Sequence, residues 1–178
     1  EGWRQTVSTT TDSLHTLLRL RKPFAVLSDA QFSGLLASAR REEMPAGTVL
    51  IEQDAADRDF LVLLTGELEI RRRYISPSGA EELEVGRLFP GDGAGEFAVL
   101  FGAPRQASVR ALEPSTILRL EGERMDELLA WSQRFTDELR DTASVRARMP
   151  TRASSACSSR RPDSAGAASG RAKPFGTT

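Results

Sequence analysis

The sequence predicts a mainly β domain with helices before and after it in the chain, and three observations support this fold class. Short apolar segments separated by turns recur between residues 49 and 120, which is typical of an antiparallel barrel or sandwich. Apolar residues at helical spacing precede and follow this region. The length of 178 residues suffices for one domain with a proper core and for extensions at its ends.

Two helices are predicted before the strands. The first begins at Asp12 or Ser13, either of which can cap it, and it ends at Pro23. Its His15 is the one histidine of the chain, and we interpret it as structural because no nucleophile elbow accompanies it. The second helix begins at a capping box and carries an apolar stripe that consists of Phe32, Leu35, Leu36 and Ala39.

The strands follow this helix. Val49 and Ile51 alternate with polar neighbours, a turn occupies 53–59, and the uniformly apolar run 60–64 is the next strand. Leu68 and Ile70 alternate again, and further strands are expected at 82–85, 105–112 and 116–120. The charged run 40–43 is interpreted as exposed to solvent.

Two charged clusters in this region receive structural interpretations. Asp54, Asp57 and Asp59 lack the spacing and the sixth-position glycine of a calcium loop, so a solvated hairpin tip is favoured. The three arginines at 71–73 alternate between the two faces of a strand, which prevents a single basic surface. We interpret them as edge-strand charge that discourages aggregation.

Residues 91–111 carry the strongest functional pattern. Three glycines precede the acid Glu96, a short apolar run follows, and Arg105 opens an alternating stretch. Glycines and the first amides of a helical turn can approach a phosphate, and an arginine supplies a planar, charge-assisted fork. The acid is better suited to accept hydrogen bonds from hydroxyl groups than to bind an anion. A phosphate site and a hydroxyl site so close together indicate a nucleotide.

This segment resembles the phosphate-binding cassette of cyclic nucleotide-binding domains, whose pattern is Gly-Glu-hydrophobic-Ala, six residues, then Arg-x-Ala-Ser/Thr-Val. The first part is matched by Gly95, Glu96, Phe97 and Ala98, and the second part by Arg105, Ala107, Ser108 and Val109. The likeness extends from about residue 23 to about residue 139. It implies an antiparallel jelly-roll β-barrel at 44–120 with short N-terminal helices and a C-terminal helical lid over 123–148.

The resemblance also implies the ligand, cyclic AMP, and its contacts. Arg105 would pair with the cyclic phosphate, assisted by amides near Ala98 and Ala107, and Glu96 with Gly95 would hold the ribose 2′-hydroxyl. The remaining ligand-binding candidates are Phe97, Gln106 and Ser108. Trp131 or Phe135 could cap the base, although either could instead pack against the barrel. Binding would be transmitted by movement of the C-terminal helices.

Four positions depart from the family's pattern. Asp54 and Asp57 stand where the family commonly has turn glycines, although aspartate tolerates left-handed turns better than most residues. Ala94 replaces an aromatic residue, and Gln106 replaces a small one at a position where threonine is associated with cyclic GMP. Because Gln106 lacks a short hydroxyl that could accept from the guanine 2-amino group, we expect cyclic AMP to be preferred modestly and cyclic GMP to be tolerated.

Composition restricts the other classes of function. The net charge of −1 gives no whole-chain argument for nucleic acid or a membrane, and no apolar run approaches the ~20 residues of a membrane span. With no signal-peptide core, a cytoplasmic location is expected. One cysteine and one histidine are too few for a zinc site, so no metal is expected, and no catalytic constellation supports an enzyme.

The domain limits follow from these patterns. Residues 1–22 are an extension with a helix, 23–148 form the domain, and 149–178 are a basic tail predicted to be disordered because it has almost no apolar residues. An effector domain or a homodimer is expected to contact the C-terminal helices. Two alternatives remain, namely a barrel scaffold that has lost nucleotide binding, and the sensor fragment of a longer transcription regulator, channel, transporter or kinase.

Overall fold

The computed structural model describes residues 16–77 and 79–147. Residues 16–19 are helical, and a 3₁₀ turn spans Phe24–Val26. The helices that follow are α1 (Asp29–Ser38), α2 (Glu96–Phe101), α3 (Gly122–Trp131) and α4 (Gln133–Ala147). The strands are β1 (Arg40–Met44), β2 (Val49–Ile51), β3 (Phe60–Thr65), β4 (Leu68–Ser76), β5 (Gly79–Leu88), β6 (Gly93–Ala94), β7 (Ser108–Ala111) and β8 (Ser115–Leu120).

The strands form two four-stranded antiparallel sheets. The first sheet has the order β1-β8-β3-β6 and the second has the order β2-β7-β4-β5. Consecutive strands often lie in different sheets, as β2 and β3 do, which is how a jelly roll distributes its chain. The predicted fold class, mainly antiparallel β with flanking helices, is confirmed.

Strand β3 shows why the run 60–64 is apolar throughout. Its side chains alternate between the two faces of the first sheet. Leu61 and Leu63 belong to the core between the two sheets, whereas Phe60, Val62 and Leu64 belong to a second core beneath the helices. A strand that is buried on both faces needs an apolar residue at every position.

The helices cover the outer face of the first sheet. Phe24, Phe32, Met125, Phe135 and Leu139 are each at most 1% exposed there. The Phe24 ring lies 6.0 Å from that of Phe135, so the N-terminal turn and helix α4 share one aromatic cluster. Burial of a side chain of this size contributes roughly 1.5–3 kcal/mol, so this layer fixes helices α1, α3 and α4 against the sheet.

Local signals in the sequence agree with the structure at several points. Ser28 and Gln31 form the capping box that begins α1. Asp54, predicted to tolerate a left-handed turn, has φ of 70°. The expected start of the first helix, His15 and the tail at 149–178 lie outside the described residues.

The charged run at 40–43 is exposed as predicted, but it also forms most of strand β1, which the sequence did not indicate. Three of its four side chains are exposed, and the half-buried Glu42 accepts a hydrogen bond from Arg119 at 3.0 Å. The first strand begins at Arg40, four residues before the expected start of the barrel. Strand β4 lies between β7 and β5, but β7 pairs only with residues 68–71, so Arg72 and Arg73 pair on one side only, as predicted for an edge. Strand β1 was missed because strand pairing uses backbone groups that side-chain patterns do not report.

Candidate functional site

Two left-handed glycines define the short helix at the centre of the cassette. Gly95 precedes α2 with φ of 104°, and Gly102 ends it with φ of 61°. A Cβ added at Gly95 would lie 2.5 Å from Arg105 Nη1 and 2.6 Å from the Asp59 carbonyl oxygen. Position 95 therefore needs glycine for its backbone conformation and for the close approach of Arg105.

Arg105 is buried in the cassette, with only 3% of its surface exposed. Its Nε donates to Asp57 Oδ2 at 3.1 Å, and its Nη2 donates to Asp59 O at 2.7 Å and to Asp57 Oδ2. Its Nη1 is buried and has no hydrogen-bond partner among the described residues. Because a buried donor without an acceptor costs free energy, an acceptor atom that reached this nitrogen would stabilise the cassette.

The pair with Arg105 also changes the acidity of Asp57. The hydrogen bond from the Arg105 guanidinium holds the pKa of the Asp57 carboxyl below its usual value, against the opposing effect of partial burial, and the charge of Arg105 lowers the pKa further. The side chain of Asp57 is 47% exposed. Arg105 is therefore neutralised from the solvent side of the cassette by a carboxylate that stays ionised.

Glu96, the first residue of α2, is the second charged group of the cassette and is 5% exposed. Its Oε2 accepts a hydrogen bond of 3.1 Å from Nη1 of Arg146, which also donates to the Gly93 carbonyl oxygen. Arg146 lies in the last turn of α4. The proposed ribose acceptor and the end of the C-terminal helix are thus in direct contact.

A cavity of about 360 Å³ joins these groups. One wall is the cassette, a second is formed by β4 and β5, and the third is the end of α4. The lining side chains include apolar residues of the second sheet, four arginines and two acids, namely Ile51, Ile70, Val85, Val109, Arg72, Arg87, Arg105, Arg146, Asp92 and Glu96. Its volume, its apolar walls and its few convergent polar groups are typical of a small-ligand site.

The structure brings most of the predicted ligand-binding residues to this cavity. Those that line it are Gly95, Glu96, Phe97, Ala98, Arg105, Gln106 and Ala107. Ser108 does not line it, and its Oγ accepts a hydrogen bond of 3.0 Å from the Gln53 amide. The proposed base caps also lie elsewhere, because Trp131 is 72% exposed beside a different cavity and Phe135 is fully buried in the core beneath the helices.

Sequence reasoning missed four charged residues that line the cavity, namely Arg72, Arg87, Asp92 and Arg146, of which Arg72 and Arg146 contact predicted site residues. Arg72 Nε donates to the Gln106 carbonyl oxygen at 3.0 Å, and its Nη2 donates to Gln106 Oε1 at 3.3 Å. The signal for Arg72 was present, since period-2 alternation puts it on the same face as Ile70 and opposite Arg71. Nothing in the sequence around Arg146 distinguishes it from the other basic residues near the C-terminus.

No group of three or more potential metal-ligating side chains occurs within 16–77 and 79–147. Over the same ranges, no helix is both long enough and apolar enough to cross a bilayer.

The two sheets, the glycine-flanked helix and the C-terminal helix define a jelly-roll type of β domain with a ligand-sized cavity. The chain is a member of the cyclic nucleotide-binding domain family, because the sequence model of that family matches residues 41–131, just over half of the chain. The predicted resemblance is confirmed.

Comparison with individual proteins agrees with this family. The cAMP-dependent protein kinase regulatory subunit of Mycosarcoma maydis is 34% identical over 104 residues, which are 58% of this chain and 19% of that protein. The regulatory domain of Toxoplasma gondii PKA, solved with cAMP, has a TM-score of 0.63 and 22% identity over 78% of this chain and 49% of that one.

A third relative has a different ligand dependence. The regulatory subunit of a cAMP-independent protein kinase A from Trypanosoma brucei has a TM-score of 0.66 and 18% identity over 77% of this chain and 48% of that one. These two structural likenesses establish the fold. The chain spans less than a quarter of the length of the curated relatives it matches first.

Proposed function

We propose that this chain is a regulatory module that binds a cyclic nucleotide, with cyclic AMP as its ligand, and that it has no catalytic role of its own. The observation that supports this most is the buried Nη1 of Arg105, which lacks an acceptor among the described residues and lies beside Gly95 at the cavity. A cyclic phosphate oxygen would satisfy that donor through a charge-assisted hydrogen bond. Asp57 and the Asp59 carbonyl would meanwhile hold the guanidinium in place.

Glu96 supports the same ligand because it supplies the hydroxyl site. A buried carboxylate is an acceptor only, and it offers about four lone-pair positions. Arg146 uses one oxygen of Glu96, which leaves room for a ribose 2′-hydroxyl to donate as well. One cavity would thus provide a donor for the phosphate and an acceptor for the sugar, which are the two features that a cyclic nucleotide presents together.

We further propose that helix α4 senses whether the cavity is occupied. The end of this helix closes one side of the cavity through Arg146 and Ala147, and α4 packs against α2 of the cassette. A nucleotide that donates to Glu96 would lie beneath this end of the helix. Binding would then favour the arrangement in which α4 is docked on the cavity. The size of this effect is set by how much more tightly the nucleotide binds the docked arrangement than the undocked arrangement.

Hydrogen–deuterium exchange of α4 tests this coupling. Saturating cyclic AMP should slow exchange in the last two turns of the helix, because local opening there would expose the ligand. Arg146→Gln should abolish most of this slowing. Arg140→Gln is the matched control, since Arg140 lies on the same helix with its side chain 57% exposed and does not line the cavity. Equal exchange with and without nucleotide in the parent protein would contradict the coupling.

A scaffold that has lost nucleotide binding is the second candidate. It is favoured by the fact that Asp57 and Arg146 already neutralise the two charged cassette groups without any ligand. Calorimetric titration with cyclic AMP, cyclic GMP and AMP separates the two candidates, because the scaffold binds none of them. If the chain binds a cyclic nucleotide, an attached transcription regulator, channel, transporter or kinase unit would receive the signal.

A further inference from the structure

Arg72 differs from the other arginines of the cavity in its partners. Arg87 pairs with Glu67 and Glu84, and the remaining two pair with Asp57 and Glu96. In the part of the chain that the structure describes, Arg72 contacts no carboxylate and bonds only to Gln106. The cavity therefore contains one guanidinium whose charge the protein does not neutralise internally.

Arg72 lies on the wall of the cavity that the base of a bound nucleotide would contact. If Arg105 and Glu96 hold the phosphate and the ribose, the base must extend away from α2. The wall that remains is formed by Ile70 and Arg72 of β4 and by Val85 and Gly86 of β5. Its aliphatic residues suit the faces of a purine. Of the two arginines that this pair of strands brings to the cavity, Arg87 is paired with Glu67 and Glu84, which leaves Arg72 for the edge of the base.

The hydrogen bonds of Arg72 leave it able to donate further. A guanidinium has five N–H groups, and Gln106 accepts from two of them. Gln106 uses its amide oxygen for this contact, so its amide nitrogen remains as a donor. The two side chains together therefore present hydrogen-bond donors, and they favour a base edge that is rich in acceptors.

We propose that Arg72 is a specificity-determining residue that recognises the six-position edge of a bound purine and favours guanine. Guanine presents two acceptors there, O6 and N7, which match an arginine fork, whereas adenine presents N7 beside its N6 amino donor. This inference rests on the proposed function, and it agrees with the expectation that cyclic AMP is preferred only modestly, because Arg72 would raise the affinity for cyclic GMP.

The experiment compares the affinities of three cyclic nucleotides for the parent protein and for Arg72→Leu. Cyclic GMP and cyclic IMP share O6 and N7, but only cyclic GMP carries the 2-amino group. Loss of Arg72 should lower the affinity for both by about tenfold or more relative to cyclic AMP, as expected for a lost bidentate contact to guanine. Arg73→Leu is the matched control, because Arg73 is adjacent, half-exposed and paired with Asp54, and does not line the cavity.

Each outcome decides the inference. A parallel loss for cyclic GMP and cyclic IMP in folded Arg72→Leu, with no change in Arg73→Leu, supports it. If the affinities for cyclic GMP and cyclic IMP relative to cyclic AMP are unchanged in Arg72→Leu, the inference is overturned and the proposed function stands. A loss of affinity confined to cyclic GMP also overturns the inference, because it would locate the selectivity at the 2-amino group. A parent protein that binds none of the three nucleotides overturns the proposed function, and the inference with it. Melting temperatures of both variants establish that they are folded.

Discussion

At the scale of single residues, Arg105 is the group on which the proposed nucleotide binding depends most. A buried cation is costly unless it is paired and hydrogen-bonded. Asp57 and the Asp59 carbonyl accept from Nε and Nη2 of Arg105, whereas its Nη1 has no partner among the described residues. Under the proposed function, Arg105 would be held in place by the protein and would still have a donor for the cyclic phosphate.

Replacement of Arg105 should therefore weaken nucleotide binding. We expect Arg105→Ala to cost ~1.5–3 kcal/mol of binding free energy, the magnitude of a lost hydrogen bond to a charged group. Arg105→Lys keeps the charge but not the planar fork, so its affinity should lie between those of Arg105→Ala and the parent. Isothermal titration calorimetry measures the affinities, and thermal unfolding serves as the control for folding. A folded Arg105→Ala protein with the parent's affinity would show that the phosphate binds elsewhere.

The Asp57–Arg105 pair also predicts how stability depends on pH. Because Arg105 lowers the pKa of Asp57 in the folded protein, the pair contributes its full stabilisation above the unfolded pKa of ~3.9. This contribution declines as the pH falls through the lower, folded-state pKa. The melting temperature of Asp57→Asn should thus fall below that of the parent at pH 6, and the difference should shrink at strongly acidic pH.

The control for this prediction is Asp54→Asn in the same turn, where the paired side chain is 66% exposed and asparagine tolerates the positive φ. Its melting temperature should stay close to that of the parent across the pH range. A difference for Asp57→Asn that does not depend on pH would show that the pair acts through packing and not through charge.

At the scale of elements, the turn into helix α2 determines whether the cassette can form. Alanine at position 95 would be strained at φ of 104°, at a cost of about 1–2 kcal/mol, and its Cβ would displace the Arg105 guanidinium. We expect Gly95→Ala to lower both the melting temperature and the nucleotide affinity. Gly34→Ala in α1 is the control, since a Cβ there meets no atom within 4 Å and alanine favours a helix. Normal affinity in Gly95→Ala would mean that this turn does not position the arginine.

The elements differ in how far the sequence could predict them. Signals carried by neighbouring residues were sufficient for the capping box of α1, for the doubly buried β3 and for the cassette. Pairing between distant segments was not predictable, which is why the exposed charge run at 40–43 was not recognised as strand β1. The contacts of Arg72 with Gln106 and of Arg146 with Glu96 were missed for the same reason, since each joins residues more than 30 positions apart, although the alternation along β4 did indicate the face of Arg72.

At the scale of the whole molecule, the described residues form two buried cores. Within the described residues, the fourteen members of the buried cluster beneath the helices lie between Leu18 and Leu139. We therefore expect deletion of residues 151–178, a stretch without apolar anchors, to leave the melting temperature and the nucleotide affinity essentially unchanged. Differential scanning fluorimetry with and without cyclic AMP tests this, and a drop of several degrees would show that the segment packs on the domain.

We propose that the cavity beside the cassette binds a cyclic nucleotide. Calorimetric titration of the full chain with cyclic AMP, cyclic GMP and AMP, in parallel with Arg105→Ala, is the decisive test of this proposal. We expect saturable binding of both cyclic nucleotides, a modest preference for cyclic AMP, much weaker binding of AMP, and a clear loss of affinity in the variant. Absence of binding to all three nucleotides, or binding that the variant retains in full, would contradict the proposal.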